Sequence, residues 1–381
     1  MLNIARRELH FFFSNPIGYL AIGVYLLIST LLLWFFDTPF NILNIGFGSL
    51  STFFELSPWL FLLLIPALSM RSFSEERTTG TFELLMTKPL NAIDIYCGKL
   101  LGITAVFSIA LLPTISNIFA IYSLLTPDSY IDWGSIVGSY IGLIGVGFLF
   151  LALSLCSSLL IKNQIASFLV SVLACFTQFY LWSFLADLSG YNWVYKVLSN
   201  IGIQSHYLSI SRGVLTLKAI VYFIGLFVSI SCLSILLIKN NETPKRAFKT
   251  PLLTIFFTIL LTNLSSVSNI QIDLTQDQRY SLAESTINKL NNLEQPLRID
   301  VFLEGELPGP YVSFRNEVDA VIAQFKNQSN QIIVNYNNPF DFGTTEQIIQ
   351  EMQEYGMSPE TVIENKDGKR NESIVFSLDY C

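Results

Sequence analysis

The sequence is short of the residues that carry chemistry. It has only two histidines, His10 and His206, far apart in the chain. No Ser/His/Asp set or metal cluster can be assembled around them, so no catalytic or metal-binding residue is expected. Of five cysteines, no two are spaced as C-x-x-C, and neither a zinc site nor a disulfide framework is indicated. Cys97, Cys156, Cys175 and Cys232 lie in or beside apolar runs, where buried structural thiols are the simple reading. There is no G-x-x-x-x-G-K-[ST] loop, so the chain cannot cradle ATP phosphates in that manner. Gly98-Lys99 lacks both the preceding glycine and the following hydroxyl. Charge is scarce too: 13% of residues, against about a quarter in soluble domains. Within the apolar runs it is nearly absent, Glu55 and Asp187 lying at ends, which argues against a proton- or sodium-coupled carrier.

What remains is apolar length. A spanning helix needs about 20 uncharged residues. Pro16–Phe36, a run starting near Ser51, Leu100–Pro127, Trp133–Ile161, Asn163–Ala186 and Ala219–Ile238 all qualify, giving six helices in residues 1–240. The first is too long for a signal peptide and lacks a small-residue cleavage site. The apolar core Pro251–Leu264 is short, but polar uncharged residues extend it to Ile272 behind the basic cluster Lys239, Lys245, Arg246 and Lys249. It is expected to be a seventh span, in a linker over 241–272. With the N-terminus in the cytoplasm, eleven Lys/Arg fall inside and three (Lys196, Arg212, Lys218) outside, as the positive-inside rule requires. Residues 273–381 would then be periplasmic. The loop Asp187–Lys218 is expected to hold short helices at the outer face, with Tyr191, Trp193 and Tyr195 at the interface.

Residues 273–381 differ in kind. They hold 18 acidic against 8 basic residues, which argues against nucleic acid as a partner. Leu297–Leu303 and Gln331–Tyr336 read as strands, and Tyr311–Lys326 between them as a helix. Ser281 and Glu284 fit a capping box opening a helix to about Leu293. A helix over Thr345–Tyr355 and a last strand at Ile374–Leu378 complete an α/β pattern with a parallel or mixed sheet. The domain is expected to be incomplete at Cys381. Asp300, Glu304 and Glu306 form an acidic patch, read as a solvated face.

Residues 71–89 are the informative stretch. Arg71, Glu75, Glu76, Arg77, Glu83 and Lys88 alternate with Phe73, Phe82, Leu84, Leu85 and Met86. That mixture suits a helix on the inner membrane surface or docked in a groove of a soluble partner. Gly80 permits a sharp turn, Pro89 ends the second piece, and Asn91 with Asp94 can cap the next helix. Pro66 and Pro113 suggest kinks. Gly138, Gly142, Gly145 and Gly147 make a small-residue face for helix packing or contact with a second copy.

The run Phe73-Ser-Glu75-Glu76-Arg77-x-x-Gly80-Thr81-x-Glu83-Leu84-Leu85-x-x-x-Pro89, followed by Gly98-Lys99, resembles the motif of ABC-2-type permeases. Within that family it most resembles the permease of the gliding-motility ABC transporter and related copper-processing permeases. A second patch, His206-Tyr207-x-x-Ile210-x-Arg212-Gly213-Val214, is similar to the family pattern before its last helix, though Thr216, Leu217 and Lys218 stand where an acid is common. The stretch from Asp273-Leu274-Thr275-x-Asp277-x-Arg279-Tyr280-Ser281-Leu282 onward, with Ile299-Asp-Val301-x-Leu303-Glu304-Gly305 and Asn338-Pro339, resembles the start of the gliding-motility auxiliary protein.

The resemblance implies a membrane all-α fold, a six-helix permease fused to an extracytoplasmic α/β domain, in a bacterial inner membrane. It implies that Phe73, Glu75, Glu76, Arg77, Gly80, Thr81, Glu83, Leu84, Leu85 and Pro89 contact an ABC ATP-binding subunit. The chain itself would bind no cofactor, ATP being held by that subunit. A homodimer, membrane lipid, and gliding or envelope proteins on 273–381 are the other implied partners. Two functions fit: an ATP-driven exporter of an unidentified substrate, or a membrane anchor for extracytoplasmic machinery without its own transport.

Overall fold

The chain opens on an amphipathic helix that the search for apolar runs passes over. α1 (Leu2–Ser14) buries Ile4, Glu8 and Phe12, one residue per turn on one face. Asn15 is extended, as a residue before proline must be, and Pro16 starts α2 (Pro16–Thr30). α2 runs into a π-helical turn over Leu31–Phe35. The computed structural model describes residues 1–45, 49–125, 131–188, 192–239, 258, 262, 271–276, 278, 280–293, 295–302, 309–329, 331–337, 350, 353, 357–366 and 369–378. Apart from isolated residues, the expected helix over 345–355 and the part of the expected helix 251–272 before Gln271 lie outside these, as do Tyr191, Glu304 and Glu306, while Gln271 and Ile272 are strand and not the end of a helix.

α3 (Ser51–Ser69) and α4 (Arg71–Thr78) follow, then α5 (Thr81–Met86). Inside α3 the hydroxyls of Ser57 and Ser69 donate back to Phe53 O (2.7 Å) and Ile65 O (2.8 Å). These two hydroxyls are thereby satisfied without water, as a membrane interior demands. α6 (Ala92–Leu111) tightens into a 3-10 turn over Leu112–Ile115 before α7 (Ser116–Leu124). Pro113 sits in that turn and accounts for it, whereas Pro66 lies within an unbroken α3. α8 (Trp133–Leu160) is 28 residues, about 42 Å at 1.5 Å per residue, enough to cross a bilayer. α9 (Gln164–Phe176) is capped by Asn163, whose side chain accepts from Ile165 N and Ala166 N. A π-helical turn, Thr177–Leu181, leads into α10 (Trp182–Asp187). α11 (Asn192–Ile201), α12 (Ile203–Ser211) and α13 (Leu217–Lys239) follow, the first two being the short helices expected between spans.

Among the described residues, six segments are long and apolar enough to span: Gly18–Phe35, Ser51–Thr78, Ala92–Leu124, Trp133–Leu160, Gln164–Asp187 and Leu217–Lys239. α8 is the most buried and so sits at the centre; Gln164–Asp187 is the least. The glycine face of α8 is consumed within the chain. A Cβ on Gly142 would touch the Tyr207 ring at 3.2 Å, on Gly145 the Phe223 ring at 3.1 Å, and on Gly147 the Phe107 ring at 2.4 Å. These glycines let aromatic side chains from other helices approach, so a second copy is not what this face meets.

By compactness the chain forms two units, Met1–Leu181 with Asn200–Ser281, and Trp182–Ser199 with Leu282–Cys381. The first therefore continues past Asp273. β2 (Gln271–Asp273) pairs antiparallel with β1 (Val214–Thr216), and Leu274 N–H donates to Gly213 O at 2.9 Å. Gly213 has φ +88°, which suits glycine alone, and the backbone turns there to offer that carbonyl. The Asp273 carboxylate accepts from Thr275 N–H (2.9 Å), Thr275 Oγ1 (2.6 Å) and Tyr280 N–H (2.8 Å). Ser281 Oγ donates to the same group. The next helix, α14 (Glu284–Asn291), starts after Ala283 with no side-chain cap, and the capping-box expectation fails because the N-cap position falls on Ala283, two residues past Ser281.

In the second unit β3 (Leu297–Val301) and β4 (Ile332–Tyr336) pair in parallel, Leu297 opposite Ile332 and Val301 opposite Tyr336. α15 (Gly309–Gln328) connects them, as a parallel pair requires. β5 (Met357–Lys366) and β6 (Lys369–Leu378) form a separate antiparallel hairpin, so the described strands do not make one sheet. Leu290, Val301, Ile322 and Ile332 are buried there. Asp300 is held by Arg298 (3.0 Å) and Asn335 (2.8 Å).

Candidate functional site

The elbow between α4 and α5 carries most of the residues singled out from sequence. It is not one helix lying flat. α4 prolongs the spanning helix Ser51–Thr78, and only α5 turns away. Gly80 makes the turn at φ 76°, ψ 0°, a left-handed conformation that costs glycine little. Thr79 Oγ1 and Thr81 Oγ1, 2.9 Å apart, bridge it. Thr78 Oγ1 lies 2.7 Å from Lys162 O and ties the end of α4 to the α8–α9 turn.

Phe73, Phe82 and Leu85 point inward and are buried, the two rings meeting edge-on at 6.2 Å. The Arg77 guanidinium lies over the Phe82 ring at 5.2 Å. Glu83, Leu84 and Pro89 are exposed. Leu84 is an apolar side chain 66% open to its surroundings on a charged surface. Asn91 stands at the N-cap of α6 in extended conformation but makes no side-chain cap bond.

A cleft of about 400 Å³ opens beside the elbow. Glu75, Glu76, Thr81, Leu84 and Leu85 line it from the expected set, joined by Arg7, Glu8, Phe11 and Phe12 of α1 and by Arg71 and Lys88. Phe73, Arg77, Gly80, Glu83 and Pro89 do not. Arg71 pairs with Glu75 at 2.9 Å and lies over the Phe11 ring at 4.6 Å. Glu76 Oε2 is buried without a hydrogen-bond partner among the described residues.

Behind the cleft lies a charge cluster that the sequence reading missed. Starting the third span at Leu100 left Lys99 outside it; α6 in fact begins at Ala92, and Lys99 is wholly buried. Its Nζ is 3.0 Å from Glu8 Oε1 and 3.0 Å from Glu76 Oε1, and it donates to Ser72 O. The Phe73 ring lies 4.8 Å away. Arg7 adds 2.6 Å and 3.3 Å contacts to Glu76 and Glu8. α1 can come this close because Gly98 and Gly102 lack side chains: Cβ atoms there would stand 2.8 Å from Ile4 Cβ and 2.6 Å from Glu8 Cβ. The available signal was Glu8, a carboxylate on the apolar stripe of an amphipathic helix.

The second sequence patch proves to be packing. Tyr207 OH donates to Phe54 O at 2.6 Å. His206 stacks on Tyr222 at 4.0 Å, and its Nε2 lies 3.1 Å from the Asn200 carbonyl, which makes Nε2–H the donor. Burial, helped by the Lys218 charge, lowers its pKa to about 3, so the ring is neutral.

A family model described as ABC-2 family transporter protein matches residues 60–262. A second, described as a domain of unknown function (DUF7088), matches residues 276–379. No curated protein matches the chain.

Proposed function

The chain belongs to the ABC-2 family of transporter proteins, whose model covers more than half of it, and on that premise we propose that the α4–Gly80–α5 elbow docks a separate ATP-binding subunit. The protein is a multi-pass membrane permease of an ABC exporter. The observation that carries the docking role is the cleft: it presents charges of both signs beside exposed Leu84. In this reading the elbow is cytoplasmic, by the eleven-to-three bias of Lys and Arg, and residues beyond 273 are periplasmic in a bacterial inner membrane. ATP stays on the partner, and the chain binds no cofactor itself. Two copies form the permease, with lipid around them. The finer resemblance, to a gliding-motility permease joined to the start of its auxiliary protein, is part of the proposal and rests on the motifs at 73–89 and 273–282. It would bring gliding or envelope proteins to residues 273–381.

One observation favours the alternative, an anchor without transport. Residues 271–276 are stitched to β1 and to the start of α8, where Gln276 N–H donates to Asp132 at 3.3 Å, a join suited to bearing load. The test is a mild-detergent pull-down of the tagged chain, wild type beside Glu83→Lys/Leu84→Asp, two exposed positions whose change spares the fold. An ATP-binding subunit recovered with wild type and lost with the variant supports docking. Recovery with neither leaves the anchor.

A further inference from the structure

We propose that Lys99 is a positioning residue that holds α1, α4 and α6 as one moving block, so that displacement of the docked elbow passes to the N-terminal helix and the third span. The inference rests on the docking reading above. Lys99 belongs to α6, yet every charge it meets belongs to another helix. Glu8 comes from α1, and Glu76 with the Ser72 carbonyl from α4. Arg7 closes over the same two carboxylates from its half-exposed side. The four side chains balance, two cations against two anions, and Lys99 is 0% exposed. α4 therefore cannot part from α6, nor α1 from either, without stranding a buried charge.

Packing alone does not link these helices equally. α1 lies flush on α6 through Gly98 and Gly102. Between α1 and α4, the described polar contacts are Arg7 with Glu76 and Arg71 over Phe11, apart from the shared ammonium. Lys99 is thus the group that makes three helices answer together to a push on α5.

The distinguishing variant is Lys99→Met/Glu8→Gln. It removes one charge of each sign, leaves Arg7 opposite Glu76, and keeps the α1–α6 packing, so a merely structural role is rescued while the three-way tie is cut. Native cysteines are replaced by alanine, and spin labels go on His10 and Thr87, both exposed. The separation is measured in the purified complex with its ATP-binding subunit, before and after trapping with ATP and orthovanadate. The expected result is no change in the parent. In the double variant, still bound to the ATPase, a shift of about 2 Å or more is expected, the scale of helix displacements at interfaces. A double variant that tracks like the parent overturns the proposal, and so does a parent whose separation itself shifts on trapping. Failure of the parent to recover an ATPase at all sinks the docking reading first, before any label is read, and this proposal with it.

Discussion

Replacing Gly80 by alanine sets backbone strain against burial, and the magnitudes decide the outcome. A Cβ at Gly80 meets nothing within 4 Å, so steric clash contributes nothing. The cost is that of an L-residue held in the left-handed region, about 1–2 kcal/mol. The strain could be released only by swinging α5 out, exposing Phe82 and Leu85, which are 2% and 6% exposed. Together their burial is worth about 3–6 kcal/mol. Strain loses, so Gly80→Ala should lower the melting temperature while leaving the elbow seated, and Gly80→Asn should cost less because asparagine tolerates this conformation. The assay is the rate at which a water-soluble maleimide labels Leu85→Cys in the Gly80→Ala background, with Leu84→Cys as the exposed control. Slow labelling is expected. Labelling of Leu85→Cys as fast as Leu84→Cys would refute the reasoning, because it would mean that α5 is held by the turn and not by its apolar face. Phe82→Ala should do the opposite: it forfeits about 3–5 kcal/mol, frees α5, and loses the co-purifying ATPase.

Two further outcomes follow from other parts of the fold. His206 is held neutral with a pKa near 3, below the ordinary 6.5, so the unfolded chain binds more protons on acidification. Its contribution is intact above pH 6.5 and declines below it by about 1.4 kcal/mol per unit until the folded pKa is reached. The thermal stability of the detergent-solubilised chain should fall between pH 7.5 and 5.5, and part of that fall should vanish in His206→Gln, which keeps a donor for Asn200 O; equal slopes would count against a buried neutral ring. At Gly134 a Cβ would stand 1.5 Å from Leu274 O, so Gly134→Val should detach the 271–276 strap. Limited proteolysis should then cut near Thr275, which is buried in the wild type, and an unchanged digestion pattern would argue that the strap docks elsewhere.

The six spans were legible because a bilayer permits so few solutions: a charge-free run of sufficient length must close its own hydrogen bonds as a helix. The turn at Gly80 was legible for a similar local reason, as were β3, α15 and β4, whose periodicities differ. The β5–β6 hairpin carried a sequence signal that went unread, Asp367-Gly368 between two alternating runs. The capping-box expectation at Ser281 failed because the helix starts later than the motif places it: Ala283 holds the N-cap position, and Ser281 lies two residues before it.

The sequence by itself determined that this is a membrane protein, how many times residues 1–240 can cross, and where the charged elbow lies, since each follows from composition within about 20 residues. Only the tertiary structure decided what the elbow is fastened to. Glu8 and Lys99 are 91 positions apart, and nothing local says that an ammonium at the start of one span will be shut in by a carboxylate from a helix at the other end of the domain. The same holds for the α8 glycines, whose partners are aromatic rings from separate helices. Short-range rules set which segments become helices; which charges and surfaces meet depends on how those helices pack, and lipid provides no apolar driving force between them to make the pairing predictable.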